Sequence, residues 1–187
     1  MKKAGLIAAL FCVLIFQNAA FAGQDDAIST NSKIVSAINI LNGIGENNVV
    51  SILQGKNPSG EPIGIYFKDL SIYGQNKSEA ITAKTRSGSL VIYIHMKHCM
   101  ASPEALAALI AHESTHNTMA QTMEEELRAW TVEARTWNKL VAQNPSLSTR
   151  EGGLTKRLNY IASAYSQNGT QSLSNILATI PAYKNLQ

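Results

Sequence analysis

The spacing of apolar residues along this chain changes character twice. Ile28, Val35, Ile38 and Leu41 recur at helical intervals and give way to Asn42-Gly43, which predicts a first helix with its stop. From Pro62 to His98 the pattern is that of strands, with 63–70, 80–85 and 90–96 as candidates and Arg86-Ser87-Gly88-Ser89 as the turn between the last two. Helical periods then return over 103–119, 123–143 and 149–167, with a shorter piece at 173–180. Ser148-Thr149-Arg150-Glu151 reads as a capping box that opens the third of these helices. The order predicts an α+β domain, a small β-sheet packed on a mainly helical body.

The first residues follow a different logic. Lys2-Lys3, an apolar stretch from Ala4 to Phe16 and the small-x-small triplet Ala20-Phe21-Ala22 have the order of a cleaved signal peptide. That stretch is shorter than the roughly 20 residues needed to span a bilayer, so no membrane anchor is expected after cleavage. The expected division is a signal peptide at 1–22 and a single domain at 23–187, exported to the periplasm or secreted.

Export changes the charge and the cysteine chemistry. Removing Lys2 and Lys3 from 16 basic residues leaves 14 against 13 acidic ones, a near balance that offers nothing to nucleic acid or to an anionic membrane. Cys12 leaves with the leader, and Cys99 alone cannot form an intramolecular disulfide. The domain must be held by packing.

Chemistry concentrates in the helix that begins at residue 103. Ser102 is suited to its N-cap, Pro103 to a position needing no backbone donor, and Glu104 to the positive end of the dipole. The run continues to His112-Glu113-Ser114-Thr115-His116. Residues four apart on an α-helix lie about 40° from each other around the axis, so His112 and His116 project from one face, able to reach one cation. Glu113 sits beside them, placed to take a proton from a metal-bound water and return it to a leaving amine. Two of the chain's four histidines fall in this H-E-x-x-H pattern, which predicts a zinc site.

A third ligand must come from elsewhere. The next helix follows after a short connection, so its start should return to the end of the first. Glu124, Glu125, Glu126 and Glu133 are the candidates, with Glu126 at the border of an apolar stripe formed by Leu127, Trp130, Ala134, Trp137 and Val141. Consecutive glutamates at a helix start are ordinarily solvated and favoured by the dipole, the expectation for Glu124 and Glu125.

The stretch from Leu90 to Trp137 resembles the gluzincin group of zinc metallopeptidases, in which a strand leads into an H-E-x-x-H helix and a later helix supplies a glutamate ligand. Glu126-Leu127-Arg128-Ala129 matches the E-x-x-A pattern that such a glutamate begins. The resemblance implies a zincin-like fold, a Zn2+ cofactor held by His112, His116 and Glu126, and Glu113 as the catalytic residue. It implies hydrolysis of peptide bonds in a peptide or protein substrate. Members often carry an aspartate four residues after the ligand glutamate, to orient a zinc histidine; Trp130 stands there, and Glu133 is the substitute at hand. By position, 90–96 resembles the edge strand on which such peptidases extend their substrate, although its continuous apolar run equally fits a buried central strand. Tyr93, His95 and His98 are candidates for stabilising an oxyanion, and His95, His98 and Cys99 for a second metal cluster. A metal-binding protein without turnover and a zinc hydrolase of a cell-wall amide are the alternative functions.

Overall fold

The structure, a computed structural model, describes residues 28–183, so the leader expected at 1–22 lies outside the described residues. The described residues form five α-helices and one three-stranded sheet: α1 (Ser32–Gly43), α2 (Asn47–Leu53), β1 (Gly64–Lys68), β2 (Ala80–Lys84), β3 (Leu90–His95), α3 (Pro103–Ser114), α4 (Met123–Gln143) and α5 (Gly153–Thr179). The fold is α+β, as the change of period predicts.

β3 is the middle strand, parallel to β1 and antiparallel to β2. An edge role for 90–96 is therefore corrected. Its unbroken apolar run, Leu90 to Ile94, is what a strand buried on both faces requires, and every one of those residues is buried. Ile92 and Ile94 face the main core together with Ile65 of β1, whereas Val91 and Tyr93 face a smaller cluster with Leu70, Ile81 and Ala83. Because Thr82 is paired with Ile92, the same alternation turns it toward the main core, and toward α3.

α3 runs through the centre of the domain. Every residue from Ala105 to Ser114 is buried, and the alanines at 105, 107, 108 and 111 keep its girth small enough for α1, the sheet and α4 to close on it from several sides. Ser102 caps it by accepting from Ala105 N at 3.3 Å, with Pro103 in its first turn.

Several boundaries differ from the sequence expectation. Ile28 does not belong to α1; its carbonyl accepts from Ile65 N at 2.7 Å, and Asn31 caps the helix three residues later. The buried face of α1 is Ile34, Ala37 and Leu41, leaving Val35 exposed. α2 has no counterpart in the sequence reading; its seven residues are too few to show a period, and the burial of Val49, Val50 and Leu53 supports them. The capping box at 148–151 does not form. Ser148 and Thr149 spend their hydroxyls on the carbonyls of Pro145 and Ser146, in a 3-10 turn over Pro145–Thr149, and α5 begins at Gly153. α5 then continues through the expected gap at 168–172, broken only at Asn168 and at Gly169, whose φ of 57° is one that glycine adopts without strain.

Candidate metal centre

α3 ends at Ser114, and the chain tightens into a 3-10 turn over Thr115–Thr118, with His116 at non-helical φ and ψ. His112 and His116 therefore do not sit on one regular helix, yet their rings still converge, with Nε2 atoms 3.4 Å apart. From the first turn of α4, Glu126 places Oε1 3.7 Å from His112 Nε2 and Oε2 3.6 Å from His116 Nε2. A tetrahedral cation with bonds of about 2.1 Å has edges of roughly 3.4 Å between ligand atoms. The three measured separations approach those edges, and the buried group His112, His116 and Glu126 can hold a metal ion.

The imidazoles are oriented from behind. Glu133 Oε2 lies 3.0 Å from His112 Nδ1, and Glu125 Oε2 lies 3.2 Å from His116 Nδ1. Burial works to raise the pKa of Glu133, but the Arg157 charge and the hydrogen bond from His112 overcome it and hold that carboxyl down to about 2. Burial opposes ionisation of Glu125 too; hydrogen bonds from His116 and Thr118 overcome it, again to about 2. Ionised carboxylates only accept, so a neutral ring at either position carries its proton on Nδ1 and turns Nε2 toward the centre. Burial lowers the pKa of His116 and favours this neutral form. With the two Nε2 atoms 3.4 Å apart beside the Glu126 carboxylate, three donor atoms of the kind a cation binds converge on one point.

Glu125 corrects the expectation that it faces water with Glu124. Glu124 is exposed, but Glu125 is buried. Besides His116, it accepts from Thr118 Oγ1 at 2.6 Å, Ala120 N at 3.3 Å and Gln121 N at 3.1 Å. The connection it gathers includes Met119 and Gln121 at φ 58° and 52°, a region costly for side-chain-bearing residues. Glu133 receives a two-pronged contact from Arg157 of α5, with Nη2 to Oε2 at 2.9 Å and Nη1 to Oε1 shorter still. Arg157 also lies over the Trp130 ring, 5.4 Å from its centroid.

Glu113 is buried between α3 and β2, where Thr82 Oγ1 lies 2.9 Å from both its carboxylate Oε2 and its own backbone carbonyl. Burial raises its pKa well above the ordinary range, and the Thr82 hydrogen bond draws it part of the way back. A carboxylate kept basic beside a metal group is what proton transfer near neutrality needs.

The other candidates fall elsewhere. His98 pairs with Glu79, to which Lys97 Nζ adds an ion pair at 3.1 Å, and His95 Nδ1 accepts from Lys97 N at 3.2 Å. Among the described residues His95, His98 and Cys99 form no metal group. Tyr93 packs on the opposite face of the sheet from Thr82. Thr82 and Arg157, which serve the site from remote elements, were not foreseen, and nothing in their local sequence marks them.

Comparison of the chain with protein-family models, curated proteins and solved structures found no match.

Proposed function

We propose that the protein is a zinc-dependent metallopeptidase of zincin-like build, acting on peptide or protein substrates outside the cytoplasm. The observation that carries this is the pair of histidine Nε2 atoms 3.4 Å apart, both turned toward Glu126 by buried carboxylates on their far sides. Neutral imidazole and carboxylate donors in a tetrahedral set of three suit zinc and leave a fourth position for chemistry. Zinc bound there supplies a Lewis acid that lowers the pKa of water toward neutrality. Glu113 takes the proton of the attacking water at its carboxylate and gives it to the departing amine, while Thr82 keeps that carboxylate oriented. The order of charges and small residues in 1–22 supports export.

A second reading, a metal-binding protein without turnover, draws on burial: His112, Glu113, His116 and Glu126 are 2%, 1%, 3% and 2% exposed. Substrate contact requires the enclosing segments to move, whereas a purely structural metal site is closed by nature.

Metal analysis of the purified protein, with a chelator-sensitive cleavage assay over a peptide library, tests the proposal. Glu113→Gln should retain zinc while cleavage falls by about 10² to 10⁴. No cleavage by the zinc-loaded wild type sinks the peptidase reading in favour of the second, and equal cleavage by the wild type and this variant removes Glu113 from the mechanism.

A further inference from the structure

Three buried polar atoms near the metal group close no hydrogen bond: Glu126 Oε1, Trp130 Nε1 and Tyr183 Oη. They are complementary, one acceptor and two donors, and they belong to one neighbourhood. Trp130 follows Glu126 by one turn of α4, on the same face. Tyr183 comes from the 3-10 turn Pro181–Tyr183 beyond α5 and packs in one apolar cluster with Trp130. Burial raises the pKa of its hydroxyl, and the Glu126 carboxylate that the hydroxyl faces raises it further. The Trp130 N–H faces the same carboxylate, and Arg157 over the ring fixes the plane of the indole. A buried donor left unpaired is costly, so two beside an unpaired acceptor are best accounted for if the three are used together.

We infer that Trp130 and Tyr183 are positioning residues of the metal centre, donating N–H and O–H to the Glu126 carboxylate and fixing the orientation in which it meets a cation. The inference rests on the metal reading and extends it: the turn at Pro181–Tyr183 becomes part of the site. It also accounts for Trp130. The gluzincin resemblance places an aspartate at that position to accept from a histidine; here Glu133, one turn further on, accepts from His112. The position four residues after Glu126 is thereby released to a donor that serves the ligand glutamate instead. A carboxylate held by two donors keeps one rotamer without the cation, which lowers the ordering cost of binding it.

The test is zinc affinity by competition with a chromogenic chelator, and the visible spectrum of the cobalt-substituted protein, for wild type, Tyr183→Phe, Trp130→Phe and Tyr160→Phe. Tyr160, 49% exposed on α5, is the control. Circular dichroism of the metal-free proteins checks that each is folded. Tyr183→Phe and Trp130→Phe should each weaken zinc binding by about 10-fold to 100-fold and shift the cobalt bands, because the ligand carboxylate turns. Tyr160→Phe should change neither. A purely structural role for Tyr183 would lower melting temperature while leaving zinc affinity and cobalt spectrum at wild-type values, and that result in both variants overturns the inference. A wild type that takes up neither zinc nor cobalt overturns the metal reading itself, and this inference with it.

Discussion

Glu133 reaches His112 Nδ1 at 3.0 Å from seven residues beyond Glu126, so one face of α4 presents both the carboxylate that closes the metal group and the one that orients a histidine of it. Arg157, with a side chain 12% exposed, answers the charge of Glu133. Glu133→Ala should therefore have two effects. Metal affinity should fall by roughly 10-fold to 100-fold, less than for His112→Ala, because an orienting contact is lost and not a ligand. Stability should fall by about 3–5 kcal/mol, since the guanidinium is left without its counter-charge. Chelator competition and urea denaturation of the metal-free protein measure the two separately; an unchanged affinity would contradict the orienting role.

Glu125 and Glu124 are neighbours with opposite environments, which makes them a paired test. Glu125→Ala removes the acceptor for His116, Thr118 and the amides of the connection. It should cost about 1–3 kcal/mol of stability and roughly 10-fold to 100-fold in metal affinity. Glu124→Ala should stay within about 0.5 kcal/mol of wild type. Thermal melts and metal titration of both variants check this, and indistinguishable behaviour would mean that Glu125 does not hold the connection.

Thr82→Val keeps the shape of the side chain and deletes the donor to Glu113. Metal binding should be unaffected, while cleavage should fall by about 10-fold to 100-fold, the worth of a hydrogen bond to a charged group. The Thr82 bond lowers the Glu113 pKa, so its loss raises that pKa further. A base works when ionised, and the acidic limb of the kcat/KM profile should accordingly move to higher pH. An acidic limb that stays in place or moves down would separate Thr82 from the proton-transfer step.

Glu79 offers a pH test away from the metal group. Burial opposes its ionisation, yet the hydrogen bond and charge of His98, with Arg157 and Lys97, hold its pKa below 4.5. A folded-state pKa depressed below the unfolded value gives stability that is present above the unfolded pKa and is lost as pH falls through the folded one. Glu79→Gln should thus destabilise the protein by about 1–3 kcal/mol at pH 7, with the difference narrowing below pH 4.5 as the wild type protonates. Urea midpoints between pH 3 and pH 7 would show this convergence (a range of roughly four units around the carboxylate value). Parallel curves for the two proteins would remove Glu79 from the acid transition.

Much of the architecture was legible in local sequence. α3 and α4 announce themselves by cap and period: Ser102-Pro103 opens the one, and the stripe through Trp130, Ala134 and Trp137 marks the other. The histidines at 112 and 116 around Glu113 are a spacing signal, since four residues always return to the same side of a helix, and this survives the tightening of the chain at Thr115. Elements that lean on tertiary contacts were not legible. α2 is seven residues long, the 148–151 hydroxyls had two sets of partners to choose between, and 90–96 reads the same at an edge or in the middle of a sheet.

The sequence by itself determined the H-E-x-x-H helix, the α+β order and the small set of glutamates from which a third ligand could come. Tertiary structure decided how those glutamates are used. Glu124, Glu125 and Glu126 are consecutive and share the same helix-start chemistry, so no local propensity separates them. What separates them is which side of α4 meets α3: Glu124 lies in water, Glu125 meets His116 Nδ1, and Glu126 faces both Nε2 atoms. Thr82, Arg157 and Tyr183 are beyond sequence reading for the same reason, since Thr82 is brought to Glu113 by strand register across a sequence separation of 31, and the other two by the folding back of α5 and the turn after it. Periodicity fixes which residues share a face, but the packing of one element on another fixes what that face meets.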